Sequence, residues 1–202
     1  MVLPIVVYGD PVLRKVCADI DKNYEGLDQL IADMFETMYK AKGVGLAAPQ
    51  VGKAIRLFVV DTRPFAESDD DDDDDEEEFT PQQKKQLKAF KKVFINAKII
   101  DEMGKEWKFN EGCLSIPKIR EDVNRLSDMT IEYYDENFVK HVEKYDGVIA
   151  RVIQHEYDHI EGRLFTDRIS PFKRKMIAGK LNDIATGKIT ADYKTKIYKP
   201  RK

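Results

Sequence analysis

Cysteine is nearly missing from this sequence: only Cys17 and Cys113 occur among 202 residues. Two thiols make at most one bridge, so a disulfide-stapled secreted scaffold is excluded, and in a chain of this size both are expected to stay reduced. Long apolar runs are missing as well, and none approaches the roughly 18 residues that a membrane-spanning helix needs. Residues 1–8 lack the basic start and extended apolar stretch of an export signal, so the chain is read as unexported and cytoplasmic, with no membrane partner. Histidine is scarce, at three residues, which makes any patterned histidine informative.

What is present is 42% apolar content over 202 residues, enough to bury the core of one domain spanning 1–202. The net charge of -3 hides a division, because ten consecutive acids at 69–78 outweigh an excess of seven positive charges elsewhere. Adjacent like charges repel and no apolar residue interrupts them, so the insert at 67–80 is expected to be disordered around that run. At the other extreme, 173–202 carries ten Lys/Arg against two Asp. Such a basic segment either is a solvated tail or approaches a polyanion such as ribosomal RNA.

Leu27, Leu30, Ile31, Met34, Phe35, Met38 and Tyr39 recur at helical spacing, which predicts a core-packing helix ended before Gly43. Residues 55–61 and 93–100 read as strands, and 129–134 with 138–144 alternate around Asp135-Glu136-Asn137 as a hairpin. Thr80-Pro81 reads as the cap and first residue of a short basic helix through Lys92. Asp146 is placed to cap a later helix bearing Val148, Ile149, Val152, Ile153 and Ile160, with Gly162 to end it. Strands clustered between helices, rather than alternating with them, predict a single α+β domain with antiparallel sheet around that later helix.

That helix carries His155-Glu156-Tyr157-Asp158-His159. Residues four apart lie about 40 degrees apart in azimuth and one turn apart in height, so both imidazoles can grip one ion. Glu156 points off their line and suits a general base acting on water better than a ligand. A catalytic metal commonly takes three protein ligands, so one more is needed. Position 165, where one protease pattern would put it, is Phe165; a carboxylate about twenty residues downstream would fall near Gly179 and Asp183. Cys113 is the better donor, in Glu111-Gly112-Cys113-Leu114-Ser115, where a metal would hold its thiol as thiolate. Cys17 has no polar motif around it and reads as a small buried hydrophobe. A third segment, 43–52, is rich in Gly and Ala; it allows a substrate strand to lie against the backbone, and Gln50 can donate to an oxyanion.

Taken together, Gly43 to Gln50, Glu111 to Ser115 and His155 to His159, in this order, resemble the three motifs of the peptide deformylases. The resemblance extends from Leu3-Pro4-Ile5-Val6 and Gly9-Asp10-Pro11-Val12-Leu13-Arg14 to Gly162-Arg163-Leu164-Phe165, and it leaves out the acidic insert and the carboxyl-terminal segment. It implies removal of the formyl group from nascent formyl-methionyl chains, with formate released. By resemblance, Cys113, His155 and His159 bind the metal, Glu156 moves the proton, and the Gln50 amide with the Leu114 backbone N–H holds the oxyanion. Gly45 and Arg120 would contact the peptide, while Val44, Arg151 and Val152 would border the methionine pocket, Arg151 through its stem. Ligand type alone favours zinc; the resemblance implies Fe2+, with Zn2+, Ni2+ or Co2+ as substitutes. A general zinc metallopeptidase, or a metal-binding adaptor that meets nucleic acid through its basic segment, are the rival readings.

Overall fold

The computed structural model describes residues 1–67 and 79–200. The acidic run at 69–78 lies outside the described residues, and with it the disorder expected there. In chain order the elements are β1 (Ile5–Val6), α1 (Leu27–Lys40), β2 (Gly45–Ala47), β3 (Leu57–Asp61), α2 (Arg63–Glu67) and α3 (Pro81–Ala89). They continue as β4 (Lys91–Cys113), β5 (Ile116–Tyr134), β6 (Lys140–Asp146), α4 (Gly147–Ile160), α5 (Pro171–Ala185) and β7 (Thr195–Lys196). Strands β2 to β6 form one antiparallel sheet in sequence order, and β1 pairs in parallel with β7.

Sequence alternation places the core on both faces of the sheet. Phe58 and Val60 of β3 enter the cluster packed by Val152 and Ile153 of α4, while Leu57 and Val59 point oppositely into the cluster of Met34 and Met38 from α1. Phe58 lies opposite Phe94 of β4 with ring centroids 4.7 Å apart, a stacked pair contributing about 0.5–1.5 kcal/mol beyond its area. Helix α4 therefore sits on the sheet with its apolar stripe inward, and its remaining face is directed to the tip of the β4–β5 hairpin. A third cluster, with Leu181 and Ile184 of α5 against Val123 of β5 and Phe165, backs that tip.

Several sequence expectations shift. The strand read at 93–100 opens a strand that continues to Cys113, because β4 and β5 form a long arm whose middle, around Ile100 and Met103, is exposed and bulged. An arm in solvent has no buried face, so it lacks the apolar alternation by which strands are read. Strand β3 starts at Leu57 rather than Ile55, which instead bridges to Ala18. Thr80 does cap α3, accepting from Gln83 N–H at 3.2 Å, but the helix stops at Ala89 and Lys92 belongs to β4. Asp146 stands at the start of α4 without a side-chain capping bond. Glu67, at the edge of the expected insert, ends α2. The segment 173–200 is no loose tail: it supplies most of α5 and then β7.

Candidate metal centre and cleft

Cys113 ends β4, and His155 and His159 stand one turn apart on α4 with ring centroids 5.2 Å apart. One donor atom from each of the three lies within 4.8 Å of the others, and Cys113 Sγ is 3.3 Å from His159 Nε2. Donors held about 2.0–2.3 Å from one ion in tetrahedral arrangement are roughly 3.3–3.8 Å apart, so this trio needs little movement to close on a metal. Asp183 is elsewhere, paired with Lys188 at 3.3 Å. Phe165, at the position where one protease pattern would put a third ligand, stacks against the His155 ring at 6.2 Å and backs it. Cys17 is buried, and burial pushes its thiol up to about 11, which leaves it inert.

The candidate donors are oriented from behind. His155 Nδ1 lies 2.9 Å from Glu111 Oε2, leaving Nε2 for a metal. Burial alone would raise the Glu111 carboxyl, but hydrogen bonds from Arg125 and His155 hold it well below the usual carboxylate range. Arg125 grips Glu111 through Nε at 2.7 Å and Nη2 at 2.9 Å, and also donates through Nη1 to Asp158 at 2.6 Å. Asp158, inside the histidine motif, is held again by both Arg168 contacts at 2.6 Å. Burial would lower His155, yet Cys113 on one side and Glu111 on the other raise it well above its ordinary value. Burial and the neighbouring His155 keep His159 neutral, with a lone pair to offer. A neutral imidazole, a cysteine sulfur and the Glu111 carboxylate thus surround His155, a set of donors that fits a cation.

Glu156 is 4% exposed and its Oε2 has no hydrogen-bond partner among the described residues. Burial pushes its carboxyl up to about 7. Gly45 of β2 faces it so closely that an added Cβ would lie 2.7 Å from Glu156 Cδ and nearer still to Oε1. Gln50 occupies the single helical turn Ala48–Val51 that follows β2. Its Oε1 accepts from the Ala47 N–H at 2.8 Å, which fixes the amide so that Nε2 turns toward Ser115 Oγ at 3.2 Å and Cys113 Sγ at 3.5 Å. Leu114 and Ser115 make the two-residue turn between β4 and β5.

These groups line a cleft of about 470 Å³, into which Val44, Gly45, Gln50, Cys113, Leu114, Arg120, Arg151, Val152, His155 and Glu156 all open. His159 sits behind this wall, buried. Arg151 is 1% exposed: its guanidinium donates to Glu111, Val123 O and Trp107 O and lies 4.5 Å over the Trp107 ring, leaving only the stem toward the cleft. Arg120 is folded back on Asn110, with Nε and Nη2 each 2.7 Å from an acceptor. No role is legible in the sequence alone for Arg125, Ser115 or Tyr193, and none for Glu111 beyond its place in the motif. Their contacts span 14 to 79 positions and leave no local pattern.

The polypeptide deformylase family model matches residues 2–175. A peptide deformylase of Flavobacterium psychrophilum is 59% identical over 197 residues, covering 98% of this chain and 97% of the relative, and one of Christiangramia forsetii is 55% identical, covering 100% and 99%. Among solved structures, a peptide deformylase of Legionella pneumophila superposes with TM-score 0.74 at 34% identity, covering 93% of this chain and 98% of that one. A mutant peptide deformylase of Arabidopsis thaliana gives 0.76 at 32%, covering 92% and 91%. The chain belongs to the polypeptide deformylase family, metal-dependent hydrolases that remove the formyl group from the amino-terminal formyl-methionine of new polypeptides.

Proposed function

We propose that Cys113, His155 and His159 hold one ferrous ion and that Glu156, Gln50 and Leu114 carry out deformylation around it. The observation behind this reading is the convergence of three donors with a buried carboxylate whose Oε2 has no partner among the described residues. When bound, the ion acts as a Lewis acid on water and on the formyl oxygen. Glu156 takes the proton of the attacking water and hands it to the departing amine, a task suited to a carboxyl raised to about 7. The Gln50 Nε2–H and the Leu114 backbone N–H face the oxygen on which charge develops. The substrate backbone lies along Gly45 and near Arg120, and the methionine side chain enters between Val44, Val152 and the Arg151 stem. Zinc, nickel and cobalt are expected to substitute in the same donors. Residence in the cytoplasm, where formylated chains emerge, and ribosomal RNA contact through the basic segment 173–202 extend the reading.

Formate release from a formyl-methionyl peptide, beside its unformylated twin and after loading with each metal, tests this reading. Activity on both peptides alike would point to a general metallopeptidase. Two variants sharpen it. Gln50→Ala should lower kcat by about a hundred-fold to a thousand-fold, the usual cost of one oxyanion donor, with KM nearly unchanged and metal content intact. Gly45→Ala should lower kcat/KM at least about tenfold while the protein stays folded, because its methyl group displaces the Glu156 carboxylate and must sit where a peptide backbone passes. Wild-type kinetics in Gly45→Ala would show that Glu156 has room to spare.

A further inference from the structure

The family model stops at residue 175, yet the chain beyond it reaches the cleft. After α5, β7 runs beside β1: the Ile5 N–H donates to Lys194 O at 2.9 Å and the Val7 N–H to Lys196 O at 3.2 Å. That pairing brings Ala191, Asp192 and Tyr193 into the cleft wall next to Cys113 and Leu114. The Tyr193 ring is half-buried against the cluster that also contains Leu46 and Leu57, and its hydroxyl donates to the Leu114 carbonyl at 2.7 Å.

Leu114 stands at the tip of a long two-stranded arm, where a turn of two residues has no further strand to brace it. The bracing comes from outside the hairpin. The Tyr8 N–H donates to Ser115 O at 2.8 Å, Gln50 Nε2 donates to Ser115 Oγ at 3.2 Å, and the Leu114 side chain lies so close to Gly43 that an added Cβ there would stand 2.8 Å from Leu114 Cδ1. Two of these three hold Ser115, and the third holds the Leu114 side chain. The Leu114 carbonyl is fixed by Tyr193. In so short a turn the orientation of one peptide plane constrains the next, so the direction of the Leu114 N–H follows from where its carbonyl is tied.

We propose that Tyr193 is a positioning residue for deformylation: by holding the Leu114 carbonyl it aims the Leu114 N–H at the developing oxyanion. The proposal rests on the reading of Leu114 as an oxyanion donor. It makes the carboxyl-terminal segment part of the catalytic apparatus rather than an appendage.

Tyr193→Phe tests it, since the ring and its packing remain and only the donor is lost. Kinetics on a formyl-methionyl peptide are expected to show kcat per bound metal reduced about two- to tenfold, the scale of one neutral hydrogen bond. KM should stay at its wild-type value, while metal content by elemental analysis should be unchanged and the thermal midpoint should fall by no more than the few degrees that one hydrogen bond is worth. A merely structural role would move the last two beyond that and leave kcat per bound metal unchanged, which would overturn the proposal. So would a loss confined to KM, because Tyr193 would then only wall the substrate. Absence of formate release by the metal-loaded wild type would strike the functional reading itself and is distinguishable, since it appears before any substitution is made.

Discussion

Glu156→Gln is expected to retain its metal and fold while losing about a hundred-fold to ten-thousand-fold in turnover, the usual contribution of a positioned general base. Glutamine fills the same space between α4 and Gly45 but has no site basic enough to accept a proton at neutral pH. Among the described residues Oε2 has no hydrogen-bond partner, so the group is buried by closeness rather than by pairing. The two properties together mark a group kept charged-capable for chemistry at a cost to stability. The sign of that cost is fixed by the raised carboxyl. The contribution of this one group to stability is fully present below the ordinary carboxylate range and is lost as pH rises through about 7, where the buried carboxyl must ionise. The metal-free variant should therefore melt at the same temperature as metal-free wild type, or higher, at pH 8. Single-turnover formate release with metal analysis provides the decisive measurement. A metal-replete variant turning over at near wild-type rate would sink the proposed proton transfer while leaving the family membership standing.

The second large effect is expected at the ligands. Cys113→Ser, His155→Ala and His159→Ala each remove one of the three donors proposed to hold the metal, so each should lose tightly bound metal and, with it, nearly all activity. Cys17→Ser should lose neither, its thiol being buried away from the centre. The His155 variant carries an added penalty, because Glu111 then keeps Arg125 and Arg151 but loses the imidazole it orients. Leaving part of a buried charged network uncompensated is costly, so this variant should be the least stable of the three. Elemental analysis after dialysis and thermal melts of all four proteins make the comparison. Stoichiometric metal in Cys113→Ser would place the third ligand elsewhere.

Much of the site was legible because its strongest signals are local. Two histidines at helical spacing define a face before any fold is known, and Cys113 and Gln50 each sit in short motifs of unusual composition. The α+β class and the antiparallel hairpin around Asp135 followed from alternation that burial imposes. What escaped was whatever depends on contacts without periodicity. The β4–β5 arm carries charges on both faces for much of its length, so no hydrophobic rule announces a strand of 23 residues. Arg151 is a guanidinium in the core, readable only once Glu111, Trp107 and Val123 are seen around it. The basic residues after 173 look like a solvated tail because lysines dominate, whereas the positions that dock it, such as Leu181, Ile184 and Tyr193, are few and widely spaced.

The pairing of β1 with β7 joins residues about 190 positions apart through only two residue pairs, Ile5 with Thr195 and Val6 with Lys196. Closing a loop of that length costs more entropy than so small a ladder returns on its own. The junction can therefore form only on a core already in place, after α1, the sheet and α4 have assembled. The order of events along the folding route is then inverted with respect to the proposed chemistry: the candidate donors on α4 and the hairpin meet first, and the segment bearing Tyr193 arrives last. On that reading the protein would, in the interval, bind metal before it is equipped for fast turnover.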